Sequence, residues 1–204
     1  MKEQLQKDFE NTIRNLSLSQ KDIEIKKFSL DNFINKGFPN RREEDWKFSD
    51  LNQIINKNIG ELSFYNDYTS TNKVDTSVFV DGLVHNKIVF INGRIEKIDF
   101  DYEKKDQIEI IDQSEIINKF ENNNSLSDLN SAFTNKSFKI VVKKGYQLSK
   151  PLIIYHTTNS KIWSKNINLR LDFELQEDSS LRLIDLFNDT CLLYTSPSPR
   201  DLST

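Results

Sequence analysis

Between residues 167 and 175, apolar and polar side chains alternate without interruption, and this period of two most restricts the folds open to the chain. Successive side chains of a β-strand point to opposite faces, so the pattern predicts a strand with a purely apolar face. Similar apolar runs recur at about 10–15 residues without helical patterns between them. We predict strands at 138–142, 152–156, 167–175 and 181–187. This spacing leaves a sandwich, a barrel and a β-solenoid open.

The N-terminal part of the chain, from Met1 to Gly60, shows helical periodicity instead. The first apolar stripe consists of Leu5, Phe9, Ile13 and Leu16. Ser19 with Asp22 three residues later is a capping box, which predicts that a second helix begins there and ends at Gly37. Short amphipathic helices need a surface on which to bury their stripes, and we expect them to pack within this chain.

The middle of the chain mixes element types. Residues 60–76 are polar and predict a linker, whereas residues 78–80 predict a short strand. Asn92-Gly93 stands between two apolar runs and predicts a β-hairpin, because both residues accept the positive φ angles of a type I′ turn. We further predict a strand at 107–111, a helix at 114–120, and a short helix through Phe133 that Ser125 and Asp128 open.

Residues 39–49 (Pro-Asn-Arg-Arg-Glu-Glu-Asp-Trp-Lys-Phe-Ser) carry charges of both signs around an aromatic pair. They follow the helix stop at Gly37. They precede Asp50, which with Gln53 predicts the cap of a third helix. A Trp in such a connector usually packs into a core. The pattern is nevertheless too specific for a generic surface loop, and its marked positions are Pro39, Arg41, Arg42, Glu44, Trp46 and Lys47.

This pattern resembles the N-terminal signature of the SufD family, scaffold subunits of the SUF machinery for iron–sulfur cluster assembly. Three later segments resemble the same family in the same order: residues 87–94, 129–133 and 138–154. The related SufB family shares the last of these but typically lacks the compact Pro-to-Trp signature, which favours the D-type assignment. The resemblance spans residues 19–189.

The resemblance implies an α+β chain in which a helical N-terminal domain precedes the first coils of a right-handed parallel β-helix, a β-solenoid. The implied divisions are 1–60, helical; 61–137, mixed strands and helix with the hairpin; 138–189, the start of the β-helix; and 190–204, the tail. We expect residues 39–49 to dock the helical domain on the β core. Trp46 would be the apolar anchor, and Arg41 or Arg42 would pair with an acid.

The resemblance also implies partners. These are a SufB-like scaffold subunit and a SufC-like ATPase, with an iron–sulfur cluster in the assembled complex and ATP bound only through the ATPase. In the family, the cluster-forming interface and the ATPase contact lie mostly in later regions. We therefore assign no cluster ligand, cofactor-binding or catalytic residue to this chain, and we expect a scaffold rather than an enzyme.

The tail differs in character from what precedes it. Residues 191–201 (Cys-Leu-Leu-Tyr-Thr-Ser-Pro-Ser-Pro-Arg-Asp) resemble one translated frame of a sequencing-library adaptor. We expect 190–204 to be non-native and the chain to be an N-terminal fragment truncated within the β-helix, although a genuine Ser/Pro-rich linker is the alternative. Cys191 is the only cysteine, so no disulfide or thiolate metal site is expected.

Other chemistry is sparse in the sequence. It contains no P-loop, no Gly-x-Gly-x-x-Gly and no Gly-x-Ser-x-Gly motif. Its two histidines, His85 and His156, are far apart, and we expect His156 to be a strand-end residue with a local hydrogen bond rather than a metal ligand. The net charge of -3 offers no basic field for nucleic acid. No apolar run approaches the ~18 residues of a membrane span, and the charged N-terminus is unlike a signal peptide, so we expect a cytoplasmic location.

Two other function classes stay open. One is a ligand- or protein-binding β module with no catalytic activity. Its carbohydrate-binding form predicts a concave row of aromatic side chains, whereas the aromatic residues here are scattered. The other is an enzyme fragment whose active site lies beyond residue 189.

Overall fold

The computed structural model describes residues 2–14, 16, 18–48, 50–58, 62–65, 73–113, 124–159, 162 and 165–188. Within these ranges the chain is an α+β protein. The helices are α1 (Lys2–Arg14), α2 (Gln20–Lys36), α3 (Leu51–Asn58) and α4 (Ser125–Phe133), with 3-10 turns at Glu44–Trp46 and Thr76–Val78. The strands are β1 (Asn86–Ile91), β2 (Arg94–Asp99), β3 (Ile108–Asp112), β4 (Lys136–Val142), β5 (Leu152–Thr157), β6 (Leu169–Leu175) and β7 (Leu183–Asn188).

The helices share one apolar core, so the prediction that they pack within the chain is confirmed. The predicted cap of α2 is also present, because the Ser19 hydroxyl accepts a hydrogen bond from the Asp22 N–H at 3.2 Å. At α4 the helix is as predicted, but its N-cap is Asn124, whose side chain accepts from the Leu126 N–H at 2.9 Å. The buried members of this core are Leu5, Phe9, Leu30, Phe33, Phe38, Ile55, Phe64, Leu129, Ala132 and Phe133.

Two sequence predictions for the region between the helices and the hairpin are wrong. Of the linker predicted at 60–76, residues 62–65 are not a polar connection, because Phe64 and Tyr65 are buried and the ring centroids of Phe64 and Phe133 are 3.6 Å apart in a stacked pair. Residues 60, 61 and 66–72 lie outside the described residues. Residues 78–80 do not form a strand. The Asp75 carboxylate accepts a hydrogen bond from the Ser77 N–H at 2.9 Å and caps a 3-10 turn over Thr76–Val78. Phe79 then packs beside Tyr155, with ring centroids 4.9 Å apart. The helix predicted at 114–120 lies outside the described residues.

The predicted Asn-Gly hairpin is confirmed. Asn92 and Gly93 have φ angles of 51° and 78°, and they join antiparallel strands β1 and β2. The Asn92 amide also bonds Asn159 beyond the end of β5, with its Nδ2 donating to the Asn159 Oδ1 at 2.9 Å. The turn therefore both closes the hairpin and ties it to the next strand of its sheet.

Within the described ranges, the seven strands form two sheets. Sheet 1 has the order β2-β1-β5-β7 and sheet 2 the order β3-β4-β6. Strands β1–β2 and β3–β4 pair antiparallel, whereas β1–β5, β5–β7 and β4–β6 pair parallel. The apolar faces of the two sheets meet in a common core. Its buried residues are Ile88, Phe90, Phe138, Ile140, Val142, Leu148, Leu152 and Ile154.

From β4 onward the chain crosses to the opposite sheet after every strand. Each strand therefore pairs with the next strand but one along the chain: Lys136 in β4 pairs with Leu169 in β6, and Leu152 in β5 pairs with Leu183 in β7. The connections also stack. Gln147 forms a parallel bridge with Ser180, and the N–H of the preceding turn glycine, Gly145, donates to a carbonyl of the later turn at 2.8 Å. Successive strand–turn–strand units thus lie on one another in near-constant register.

Strands β6 and β7 are edge strands of their sheets within the described residues. Apolar positions that are buried in the strands before them are therefore exposed to solvent in β6 and β7. Leu175 is 50% exposed, and its partner in β4, Val142, is 0% exposed. The exposed apolar residues of these two strands are Phe173, Leu175, Leu183, Ile184 and Phe187.

Candidate functional site

The 39–49 segment begins where α2 ends. The Gly37 φ angle of 74° turns the chain out of the helix, and its N–H donates to the Phe33 carbonyl at 2.7 Å. Only glycine adopts this φ without strain. Phe38 is then buried against Phe33, with ring centroids 4.9 Å apart and edge-to-face geometry. The apolar core thus fixes the start of the segment.

Local hydrogen bonds order the next residues. One Glu43 carboxylate oxygen accepts from the Asn40 backbone N–H at 3.2 Å and from its side-chain amide at 3.3 Å. The Asn40 side-chain oxygen in turn accepts from the Arg42 N–H at 3.0 Å. At the far end, Asp50 caps α3 by accepting from the Gln53 N–H at 3.0 Å, as the sequence predicts. The segment is therefore an ordered connector with fixed ends.

The six marked side chains lie in different environments. Pro39 is buried and Trp46 is half-buried, whereas Arg41, Arg42, Glu44 and Lys47 are exposed. Glu44 and Lys47 approach each other only loosely, at 4.0 Å. Across the ranges that the structure describes, neither arginine forms the ion pair expected of it. The segment is thus anchored through Phe38 and Pro39 and displays its charges to solvent.

Sequence reasoning did not single out Phe48 as a site residue. Its side chain is 84% exposed, and the Lys47 ammonium lies 5.8 Å from its ring centroid. A single exposed apolar side chain is common on a monomer surface, so the exposure of Phe48 matters here only because an ordered, charged loop carries it. The sequence signal for Phe48 was only its membership of the aromatic pair, with Trp46, around Lys47.

Glu103 is the centre of a polar cluster that no sequence motif indicated. Its carboxylate accepts from the Tyr146 hydroxyl at 2.6 Å, the Asn86 amide at 2.8 Å and the Ser149 hydroxyl at 3.0 Å. The N–H groups of Ser149 and Lys150 also donate to it, at 3.1 and 3.0 Å. Desolvation alone would raise the Glu103 pKa, but these hydrogen bonds outweigh it and lower the pKa to about 2. The cluster ties the loop after β2 to the connection between β4 and β5.

Lys26 is a buried cation in the helical core. It is 1% exposed, and its ammonium donates to the carbonyls of Thr134, Ser131 and Ala132 at 2.6, 3.3 and 3.4 Å. These carbonyls lie at the C-terminal end of α4, where the helix dipole is negative. Desolvation by burial lowers the Lys26 pKa from 10.5 to about 8, although the charge of Asp22 opposes the shift. Lys26 thus fastens α2 to the end of α4.

Both histidines make local contacts within the β part. The His85 Nδ1 lies 2.5 Å from the Leu83 carbonyl, so it carries the proton, and the Nε2 accepts from the Tyr155 hydroxyl at 2.7 Å. His156 lies near the end of β5, as predicted, but its hydrogen-bond partner is not local in sequence: its Nε2 lies 2.8 Å from the carboxylate of Asp185 in the neighbouring strand β7. Its ring stacks between two phenylalanine rings, those of β1 and β7, with centroids 5.3 and 4.4 Å away. Each histidine therefore supports the strand packing around it.

The described residues include no group of three or more His, Cys, Asp or Glu side chains placed to hold a metal ion. None of the helices in the described ranges is long and apolar enough to cross a membrane. Neither a scan against protein-family models nor a search of curated proteins finds a match for the chain. The candidate site is the 39–48 segment, in which Arg41, Arg42, Glu44, Lys47 and Phe48 are exposed.

Proposed function

We propose that the chain is the front part of a SufD-like scaffold subunit of an iron–sulfur cluster assembly machinery. In this proposal it acts without catalysis of its own, in the cytoplasm, together with a SufB-like subunit and a SufC-like ATPase. The cluster forms in the assembled complex, and ATP is bound by the ATPase alone. The observation that carries the proposal is the stacking of successive strand–turn–strand units behind a helical domain.

The finer fold in this proposal is a right-handed parallel β-helix. Its support is the in-register parallel pairing of β4 with β6 and of β5 with β7, together with the stacked connection at Gln147 and Ser180. Units that contact mainly their neighbours are typical of solenoids. The right-handed sense follows the general rule for crossovers between parallel strands. The antiparallel partners β2 and β3 would close the first coil as a cap.

The signature residues support the same proposal through their surroundings. Pro39 is buried next to Phe38, which belongs to the helical core, and the charged residues Arg41, Arg42, Glu44 and Lys47 are left at the surface. A subunit that works by assembling with others needs such ordered and exposed contact residues. A general protein-binding β module would share this property, so partner identity has to separate the two classes.

The first experiment is an adaptor-independent read of the gene across codons 185–204 and downstream. The proposal requires the frame to continue beyond codon 189 into further alternating strands and a helical C-terminus. The extended product is then co-expressed with the SufB-like and SufC-like proteins of the same genome. Stable co-purification with both, and recovery of a complex that takes up iron and sulfide, is the expected result.

Two outcomes would overturn the proposal. One is an encoded Cys191–Thr204 tail followed directly by a stop codon. The other is an extended, folded product that binds neither partner. A folded product that binds an unrelated protein or ligand would favour the alternative, a binding module without catalytic activity. Circular dichroism on each preparation separates lack of binding from lack of folding.

A further inference from the structure

The front loop, residues 40–48, combines an open aromatic side chain with an ordered backbone. Phe48, at 84% exposure, is the most exposed of the large apolar side chains in the described chain. The backbone that carries it is held by the Asn40–Glu43 hydrogen bonds and by turns at Glu43, Trp46 and Lys47. A surface that is already ordered loses little conformational entropy when it binds, so this loop is well suited to contact another protein.

The charges of the loop restrict what that protein presents. From residue 41 to residue 47 the sequence has three cations and three acids, so the loop has no net charge. A polyanion such as nucleic acid would be attracted by the cations and repelled by the acids, with no net gain. A well-matched partner must therefore carry both signs in a complementary order.

We propose that the front loop binds the front loop of a second copy of the chain. A two-fold contact places residue i of one copy against residue j of the other, and residue j against residue i. The sequence Arg41-Arg42-Glu43-Glu44 changes sign at its centre, so a two-fold axis there brings Arg41 of each copy to Glu44 of the other. Such a contact would also bring the two Phe48 side chains out of water.

The existing contacts leave this pair available. The Glu43 carboxylate is engaged with its own Asn40, whereas Glu44 has only a 4.0 Å approach to Lys47 between exposed side chains. Surface pairs of that kind contribute little to stability. The planar Arg41 guanidinium can form a two-point contact with a carboxylate, which is stronger than the Lys47 interaction that it would replace.

The test is a charge swap on the full chain, followed by sedimentation velocity and native mass spectrometry. Arg41→Glu alone and Glu44→Arg alone should each raise the dimer dissociation constant about tenfold or more, because the symmetry repeats every like-charge contact twice. An equimolar mixture of the two variants should form a heterodimer, since the carboxylate introduced by Arg41→Glu then faces the guanidinium introduced by Glu44→Arg across the axis. Phe48→Ala should weaken the dimer by a similar factor.

Lys105→Glu is the matched control, because it reverses an exposed cation in the turn between β2 and β3, outside the front loop, and should leave the dissociation constant unchanged. A wild-type chain that stays monomeric, or reversals that leave the dimer as tight as before, would overturn the proposal. So would a mixture that forms no heterodimer while circular dichroism shows both variants folded. The chain is tested alone, so the result is independent of whether it binds SUF subunits. Association through the β6 and β7 edges would not respond to the swap.

Discussion

At the scale of single residues, two buried charged groups hold distant parts of the chain together. Glu103 joins the loop after β2 to the connection between β4 and β5, and Lys26 joins α2 to the end of α4. Folding lowers the pKa of both groups, but for different reasons. Hydrogen bonds stabilise the charged form of Glu103, whereas burial destabilises the charged form of Lys26. Their effects on stability therefore appear at opposite ends of the pH scale.

Glu103 should make the fold acid-sensitive. Its pKa falls from 4.5 to about 2 on folding, so its contribution is complete above pH 4.5 and is lost as the pH falls toward 2. Because solvent near the cluster screens part of this interaction, we expect Glu103→Gln to lower the free energy of unfolding at pH 7 by about 1–3 kcal/mol. The substitution should also reduce the pH dependence of the free energy of unfolding between pH 2 and pH 4.5. Urea unfolding across this range measures both, and the exposed Glu109→Gln is the control. An unchanged pH profile would contradict a stabilising role for the carboxylate.

Lys26 should act in the alkaline range. Its folded pKa of about 8 lies below the ordinary 10.5, so between these values the unfolded chain binds more protons than the folded chain. Stability should therefore rise as the pH increases from 8 to 10, by up to about 3 kcal/mol. Lys26→Met should remove this rise, whereas the exposed Lys27→Met should retain it. Thermal unfolding at pH 7–10 gives the comparison, and equal slopes in both variants would show that Lys26 is not the group responsible.

Trp46 should contribute less than a core tryptophan. Complete truncation of a buried Trp costs about 3–5 kcal/mol, but this side chain is only half-buried. We expect Trp46→Ala to lower the free energy of unfolding by about 1–2 kcal/mol. Chemical denaturation measures the change. A loss above about 3 kcal/mol would show that the indole anchors the helical domain on the β core, as the sequence alone led us to expect.

At the scale of elements, the hairpin between β1 and β2 depends on one glycine. Gly93 has a φ angle of 78° and is buried, and it follows Asn92, which is also in the left-handed region. A side chain at this φ is strained. Gly93→Ala should therefore destabilise the fold by about 1–2 kcal/mol, measured by thermal unfolding. Gly82→Ala is a useful comparison, because that glycine has a similar φ of 72° but lies exposed outside any strand. A larger loss at Gly82 would contradict the importance of the hairpin.

At the scale of the whole molecule, the end formed by β6 and β7 is the most exposed part of the described β core. It combines unpaired strand edges with apolar side chains such as Leu175 and Phe187, which are 50% and 48% exposed. Open edges with apolar faces pair with other chains. We expect residues 1–189 alone to associate through this end in a concentration-dependent way, and Leu175→Lys to reduce the association. Light scattering from a monodisperse monomer of the unsubstituted 1–189 chain would contradict this expectation.

The sequence by itself determined the elements whose causes are local. Helix caps at Ser19 and Asp50, the Asn92-Gly93 turn and the strict alternation before Leu175 all follow from interactions within a few residues, and each was predicted correctly. The helix at α4 was also predicted, with its cap at the position just before the expected one.

Only the tertiary structure decided how these elements meet. Phe64 stacks on Phe133, a contact that leaves no periodic trace in the sequence. Lys26 does fall on the helical spacing of Ile23, Leu30 and Phe33, but nothing in that spacing indicates the α4 carbonyls that its ammonium reaches. The same holds for Glu103, because its hydrogen-bond donors come from separate segments that only folding brings together. A local pattern determines whether a segment forms a helix or a strand, because its causes lie within a few residues. Which segments contact each other depends on many weak packing contacts summed over the whole chain, and a local pattern does not contain that sum.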